Sequence, residues 1–270
     1  MKKKRRYSFC RAADDLIDES PSPAAASAAC DSLQKFLDIA YTHPDTPTRQ
    51  NPALKAYVEK AFPSASHAAL LSLPTHRLPR KPLDGLLAGF RTDLTFPNTT
   101  AAASKFPIQT PADLLLYAQR VAGTVGEMFT ILVLARHPVA GDHREILRQA
   151  EIMGTALQYV NIARDVEKDA AIGRVYIPAT WTDPGVVLAD PIAAAEAARE
   201  RLLAAAEERY VYARGAVEQL PMEARAGARV AVEAYMDIGR RLTEGGYEHN
   251  GGGLRGKAVR VWRAWKLMRK

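Results

Sequence analysis

Apolar residues recur at three- and four-residue steps over much of the chain, and nowhere do they alternate for long enough to build a strand. Leu114, Leu115, Ala118, Val121, Ala122, Val125, Phe129, Leu132 and Val133 repeat in this way to about Arg136, marking one face of a helix. Thr110-Pro111-Ala112-Asp113 starts it, with Thr as cap, Pro at the first helical position and an acid in the first turn. The same periodicity predicts helices from about Arg144 to Asp169, from Pro191 to about Leu220, and from about Glu223 to Glu244. Gly245-Gly246 stops the last of these. The fold class predicted is all-α.

Breaks fall where Pro, Ser, Thr and Gly cluster. Ser20-Pro21-Ser22-Pro23 ends the first helix, and His43 to Pro52, Pro97 to Thr110 and Trp181 to Pro191 read as polar connections. Gly251-Gly252-Gly253 releases a C-terminal tail. No internal repeat of roughly 20–50 residues is evident, which argues against a solenoid.

The 270 residues suffice for a sizeable core, and 47% hydrophobic with 25% charged residues is an ordinary globular mixture. Cys10 and Cys30 are too few for a disulfide framework or a four-cysteine metal site, so a reduced, intracellular and cytoplasmic setting is expected. The longest apolar run, Met128 to Ala135, is broken by Thr130 and falls short of the roughly 20 residues of a spanning helix. No apolar stretch follows the basic N-terminus, so no secretory signal is expected.

The net charge of +7 is not spread evenly. Five cations lie in residues 1–6 and seven in residues 254–270, with no acid in either segment, so the stretch between carries a net −5. A uniformly basic nucleic-acid surface is thereby disfavoured, and no nucleic-acid partner is expected. In the tail, Val259, Val261, Trp262, Trp265, Leu267 and Met268 alternate with the cations. That pattern suits either an interfacial helix drawn to anionic lipid, giving peripheral membrane association, or a terminal helix packed on the body.

The acids of the body carry the chemistry. Asp14 and Asp18 lie four apart on one helix face, and Asp165 and Asp169 repeat the arrangement. Like charges at this spacing repel by a few tenths of a kcal/mol, a cost that a bound cation removes. Gln158, Asn161, Asp165 and Asp169 form one polar stripe, and Arg164 and Arg174 flank it. An isolated pair of this kind is usually a solvated face. Two pairs, one with amides in register and arginines alongside, point to a hard cation such as Mg²⁺, with Mn²⁺ as an alternative, gripping a diphosphate.

Tyr7-Ser8-Phe9-Cys10-Arg11-Ala12-Ala13-Asp14-Asp15-Leu16-Ile17-Asp18-Glu19 resembles the first aspartate-rich motif of the squalene/phytoene synthases. The second is matched by Ala156 to Asp165, continuing through Asp169 to Gly173-Arg174-Val175-Tyr176-Ile177-Pro178. Val121-Ala122-Gly123-Thr124-Val125-Gly126 resembles the motif between them, and Gly245-Gly246-Tyr247 with the basic tail resembles the family's C-terminus. Phe90-Arg91-Thr92-Asp93-Leu94 and Phe106-Pro107-Ile108 resemble most the phytoene synthase half of fungal bifunctional lycopene cyclase/phytoene synthases.

The resemblance implies an isoprenoid synthase-type helical bundle around a central cavity. Two geranylgeranyl diphosphates would condense head to head, through prephytoene diphosphate, to phytoene. Asp14, Asp18, Asp165 and Asp169 would be the catalytic, metal-holding acids, with Asn161 among the metal ligands. Tyr7, Arg11, Gln158, Asn161, Arg164, Arg174 and Tyr176 would contact diphosphate or metal-bound water, and Tyr117, Gly126 and Leu157 would line the prenyl channel. No nicotinamide is needed for phytoene. Squalene or dehydrosqualene synthesis, or a non-catalytic binding or assembly role, are the alternatives. The organisation expected is a basic extension over 1–6, a helical domain over 7–253 and a basic tail over 254–270. Relatives carry a segment before the first motif, so the N-terminal helix is expected to be lacking and turnover impaired.

Overall fold

The computed structural model describes residues 9–97 and 103–244, and no β-strand occurs among them. The segments 1–6 and 254–270, Tyr7 and the Gly245-Gly246 stop lie outside the described residues. The structure forms two compact units, one ending at Leu94 and the other beginning at Thr95.

The first unit contains α1 (Phe9–Asp18), α2 (Pro23–Ala40), α3 (Pro52–Ala61), α4 (Ser64–Leu70) and α5 (Arg80–Asp93). Phe9, Ala12, Ala13 and Ile17 give α1 a buried face. It packs on α2 and α4, with the Phe9 ring stacked on Phe36 at 5.8 Å between centroids. Leu33, Phe36, Leu37, Leu54, Leu83 and Leu87 are fully buried at the centre of this unit. On its surface Arg80 ties Asp38 of α2 (2.6 Å) to Asp84 of α5, and Arg91 binds Asp31 at 2.9 Å.

The second unit contains α6 (Pro111–Ala118), α7 (Thr124–Arg136), α8 (Arg144–Ala171), α9 (Pro184–Ala189), α10 (Pro191–Ala213), α11 (Gly215–Gln219) and α12 (Met222–Thr243). The 28-residue α8 is its axis, and α7, α10 and α12 all pack against it. Met153, Ala156, Tyr159, Val160, Ile162, Ala163 and Val166 supply its buried face. From α10, Arg199 pins that helix by donating to the Ala163 carbonyl (3.0 Å) and pairing with Glu167 (3.3 Å).

Pro111 and Pro191 open helices as expected, and Pro23, Pro52 and Pro184, which lie in stretches read as breaks, are helix starts as well. Ser22-Pro23, Asn51-Pro52, Thr110-Pro111, Asp183-Pro184 and Asp190-Pro191 each place a capping side chain before a Pro in the first turn. Thr110 and Asp113 complete a reciprocal capping box.

Three expectations need correction. The helix expected from Thr110 to Arg136 is interrupted by a π-helical turn over Gln119–Gly123. One extra residue in that turn advances the register by about 100°, so the apolar stripe of α6 does not continue along α7. Val125 and Phe129 are consequently exposed, while Met128, Thr130 and Leu134 are buried. The segment from Pro191 to Leu220 is two helices, because α10 ends at Ala213 and α11 begins at Gly215. The connection from Trp181 to Pro191 contains α9, started by the Asp183 carboxylate accepting from Gly185 N–H at 2.8 Å.

Candidate active site

The first aspartate motif lies on α1. Asp14 and Asp15 are partly buried and Asp18 is exposed. Arg11 already partners the motif, reaching Asp14 at 3.3 Å and Asp15 more closely at 2.7 Å. Asp15, the residue after Asp14 in the motif, is thus the firmer contact of that arginine. Burial, with the Asp14 charge adding to it, pushes the Cys10 thiol up to about 11, so it stays protonated at neutral pH.

The second motif occupies the C-terminal half of α8. Gln158, Asn161, Arg164, Asp165 and Asp169 are all partly buried along one side, and Tyr159, Val160, Ile162, Ala163 and Val166 are buried on the other. Arg164 forms a bidentate pair with Asp165, through Nε to Oδ1 at 3.0 Å and Nη2 to Oδ2. Lys168, a residue not singled out from the sequence, also donates to Asp165 Oδ1 at 3.0 Å. Burial alone would raise the Asp165 pKa, but the hydrogen bonds and charges of Arg164 and Lys168 outweigh it and hold the carboxyl below its ordinary value.

Asn161 supplies the test of whether a metal fits. Its Nδ2 donates to Gln158 Oε1 at 3.3 Å, while its Oδ1 is buried with no hydrogen-bond partner among the described residues. A buried amide oxygen without a donor is uncommon and calls for a cation or an ordered water. It lies one helical turn before Asp165 on the same side of α8. Among the described residues no three His, Cys, Asp or Glu side chains gather into a metal cluster. Two carboxylates and one amide oxygen are instead the sparse donor set of Mg²⁺, which keeps waters and substrate phosphates in its shell. The residues present fit the ion.

The end of α8 brings Arg174 to this stripe. Gly173 adopts φ +76°, its N–H donates to the Ala170 carbonyl (2.9 Å), and the Arg174 N–H donates to the Asp169 carbonyl (2.8 Å). This is a Schellman cap, and it turns the chain back beside the second aspartate. Val175, Tyr176 and Ile177 then enter the core. Tyr176 stacks on Tyr117 at 4.8 Å and meets Phe96 edge-on at 5.1 Å, with Phe106 beyond it.

The prenyl-lining candidates differ in what surrounds them. Tyr117 is buried in this aromatic cluster, and Leu157 packs, partly buried, against the same core. A side chain at Gly126 would overlap the Ala150 carbonyl of α8, and one at Gly154 the Ala122 carbonyl. These glycines, the second missed from sequence, allow α7 and α8 their close approach.

A model of the squalene/phytoene synthases matches residues 6–265. The chain belongs to this family. It is 45% identical to the bifunctional lycopene cyclase/phytoene synthase of Gibberella fujikuroi over 98% of its own length and 47% of the relative's. The protein of the same description from Phaeosphaeria nodorum is 43% identical, covering 98% of this chain and 45% of that one. The Neurospora crassa protein is also 43% identical, over 88% and 42%. The chain thus spans less than half the length of these curated relatives. The crystal structure of squalene synthase HpnC from Alicyclobacillus acidocaldarius superposes with a TM-score of 0.61 at 23% identity, covering 89% of this chain and 81% of that one. The fold is accordingly the all-α isoprenoid synthase type. No helix among the described residues is long and apolar enough to cross a membrane.

Proposed function

We propose that this chain is an Mg²⁺-dependent prenyltransferase of carotenoid biosynthesis, joining two geranylgeranyl diphosphates head to head, through prephytoene diphosphate, to phytoene. The observation that carries the proposal is the α8 stripe, where an unpartnered amide oxygen at Asn161 shares a face with Asp165 and Asp169 and with Arg164. The 45% identity to fungal proteins described as lycopene cyclase/phytoene synthases supports the choice of substrate and product.

Asn161, Asp165 and Asp169 would hold metal on the second motif, and Asp14 and Asp18 on the first. When bound, Mg²⁺ neutralises the diphosphate and makes it a better leaving group. Arg164 and Arg174 offer planar forks to phosphate oxygens, and Arg11 and Gln158 add donors. Tyr7 and the hydroxyl of Tyr176 are the remaining polar contacts. Departure of diphosphate leaves an allylic cation that water would destroy, so the surroundings of the reacting carbons must be apolar. Tyr117, Leu157 and the neighbouring aromatic rings supply such surroundings, with Gly126 keeping the helices beside them close. The basic, Trp-containing segment 254–270 is proposed to rest on an anionic membrane surface, where a hydrocarbon product partitions.

Incubating the protein with geranylgeranyl diphosphate and Mg²⁺, followed by chromatography of extracted lipids, tests the proposal. Phytoene is the expected product, absent from the Asp165→Ala and Asp169→Ala variants. Squalene formed only from farnesyl diphosphate with a reductant would replace this reading. Diphosphate binding with no hydrocarbon product would make the chain a binding protein.

A further inference from the structure

Two cations that hold Asp165 differ in grip. Arg164 occupies both carboxylate oxygens and is only 21% exposed, whereas Lys168 makes one 3.0 Å contact from a side chain that is 61% exposed. An ionised carboxylate offers about four acceptor sites, and these two residues fill three of them. A hard divalent ion arriving at Asp165 is helped by vacating one of these. The single contact of a flexible, solvated ammonium is much cheaper to break than a partly buried bidentate fork.

The helix register makes Lys168 suited to this task. It stands three residues after Asp165, within side-chain reach on the same helix, and immediately before Asp169. In the metal-free protein it lessens the repulsion that two acids four apart would feel near a helix C-terminus. Once an ion supplies that charge, the ammonium has no electrostatic reason to remain. The unpartnered Asn161 Oδ1, one turn away on the N-terminal side, marks where further positive charge is wanted.

We propose that Lys168 is a displaceable cation that competes with Mg²⁺ for Asp165 and so sets the metal concentration at which the second aspartate motif loads. It acts through Asp165 and is a positioning residue. The inference rests on the metal reading given under Proposed function.

The test uses Mn²⁺ alone, without substrate, with free ion followed by electron paramagnetic resonance in titrations of the full chain. Lys168→Met is expected to bind Mn²⁺ about three- to tenfold more tightly than wild type. Lys168→Arg, which keeps the charge, is expected to stay at or below wild-type affinity, and Asp165→Asn to lose this binding. The metal-free Lys168→Met protein is also expected to melt below wild type at low salt, with the gap closing as Mn²⁺ is added. Equal affinity in wild type and Lys168→Met, with binding still lost in Asp165→Asn, overturns the role of Lys168 alone. Binding that is indifferent to Asp165→Asn overturns the metal site itself and this inference with it.

Discussion

The backbone N–H of Arg174 donates to the carbonyl oxygen of Asp169 across 2.8 Å. The main chain thereby links the arginine proposed to bind diphosphate to the aspartate proposed to hold metal, five residues apart in sequence. The link depends on Gly173, whose φ of +76° costs an L-residue roughly 1–2 kcal/mol. A methyl group there would meet nothing closer than the Pro97 carbonyl at 3.8 Å, so the cost is conformational and not steric. Gly173→Ala is expected to lower unfolding free energy in urea by about 1 kcal/mol. It should raise the substrate KM more than a surface substitution of equal stability cost does.

Asn161→Leu separates stability from function. The substitution removes a buried acceptor that has no donor, so the metal-free protein is expected to unfold at an unchanged or higher temperature, with a gain of up to about 1 kcal/mol. Hydrocarbon formation should nevertheless fall by at least about 10-fold, the loss that follows even when a group supporting a metal ligand is removed. Thermal denaturation with and without Mg²⁺ checks this, since metal stabilisation should be lost along with activity.

Gly126 and Gly154 distinguish packing from channel lining. Alanine at either position would press its methyl group into a backbone carbonyl of the facing helix, and rigid backbone yields poorly. Each variant is expected to lose about 2–3 kcal/mol in denaturant titrations. Gly227→Ala, within α12 and facing open space, should instead gain about 0.5–1 kcal/mol. Shorter products from a Gly126→Ala protein of wild-type stability would contradict the packing role.

The Asp165 cluster makes a prediction for acid. Its carboxyl is depressed on folding, so the stabilisation it brings is complete above the ordinary value of 3.8 and fades as pH falls through the lower folded value. The stability difference between wild type and Asp165→Asn is therefore expected to be flat from neutral pH to about pH 5 and to shrink below about pH 4. Urea titrations at stepped pH measure it. A difference that grows toward low pH would contradict the Arg164–Asp165–Lys168 arrangement.

Much of this was legible in the chain because it is local. The Thr110-Pro111 start and the extent of α8 to within two residues follow from caps and periodicity, and the stripe from Gln158 to Asp169 follows from helix register. Lys168 was legible in principle, three residues from Asp165, but an i,i+3 cation beside an acid is too common to single out. The π-helical turn at Gln119–Gly123 leaves no mark in composition, since one added residue changes the facing of α7 without changing its helical character. α9 hid in a stretch rich in Pro and Asp because those residues serve both loops and helix starts. The unpartnered oxygen of Asn161 depends on what packs around it, which no spacing rule encodes.

Product stoichiometry tests the head-to-head condensation most directly. Geranylgeranyl diphosphate is supplied with Mg²⁺, and released diphosphate and C40 hydrocarbon are quantified from the same reaction. Two diphosphates per phytoene are expected with Mg²⁺, and neither product after chelation or in Asp165→Ala. Diphosphate released without a C40 hydrocarbon, or phytoene formed undiminished by Asp165→Ala, would contradict the account.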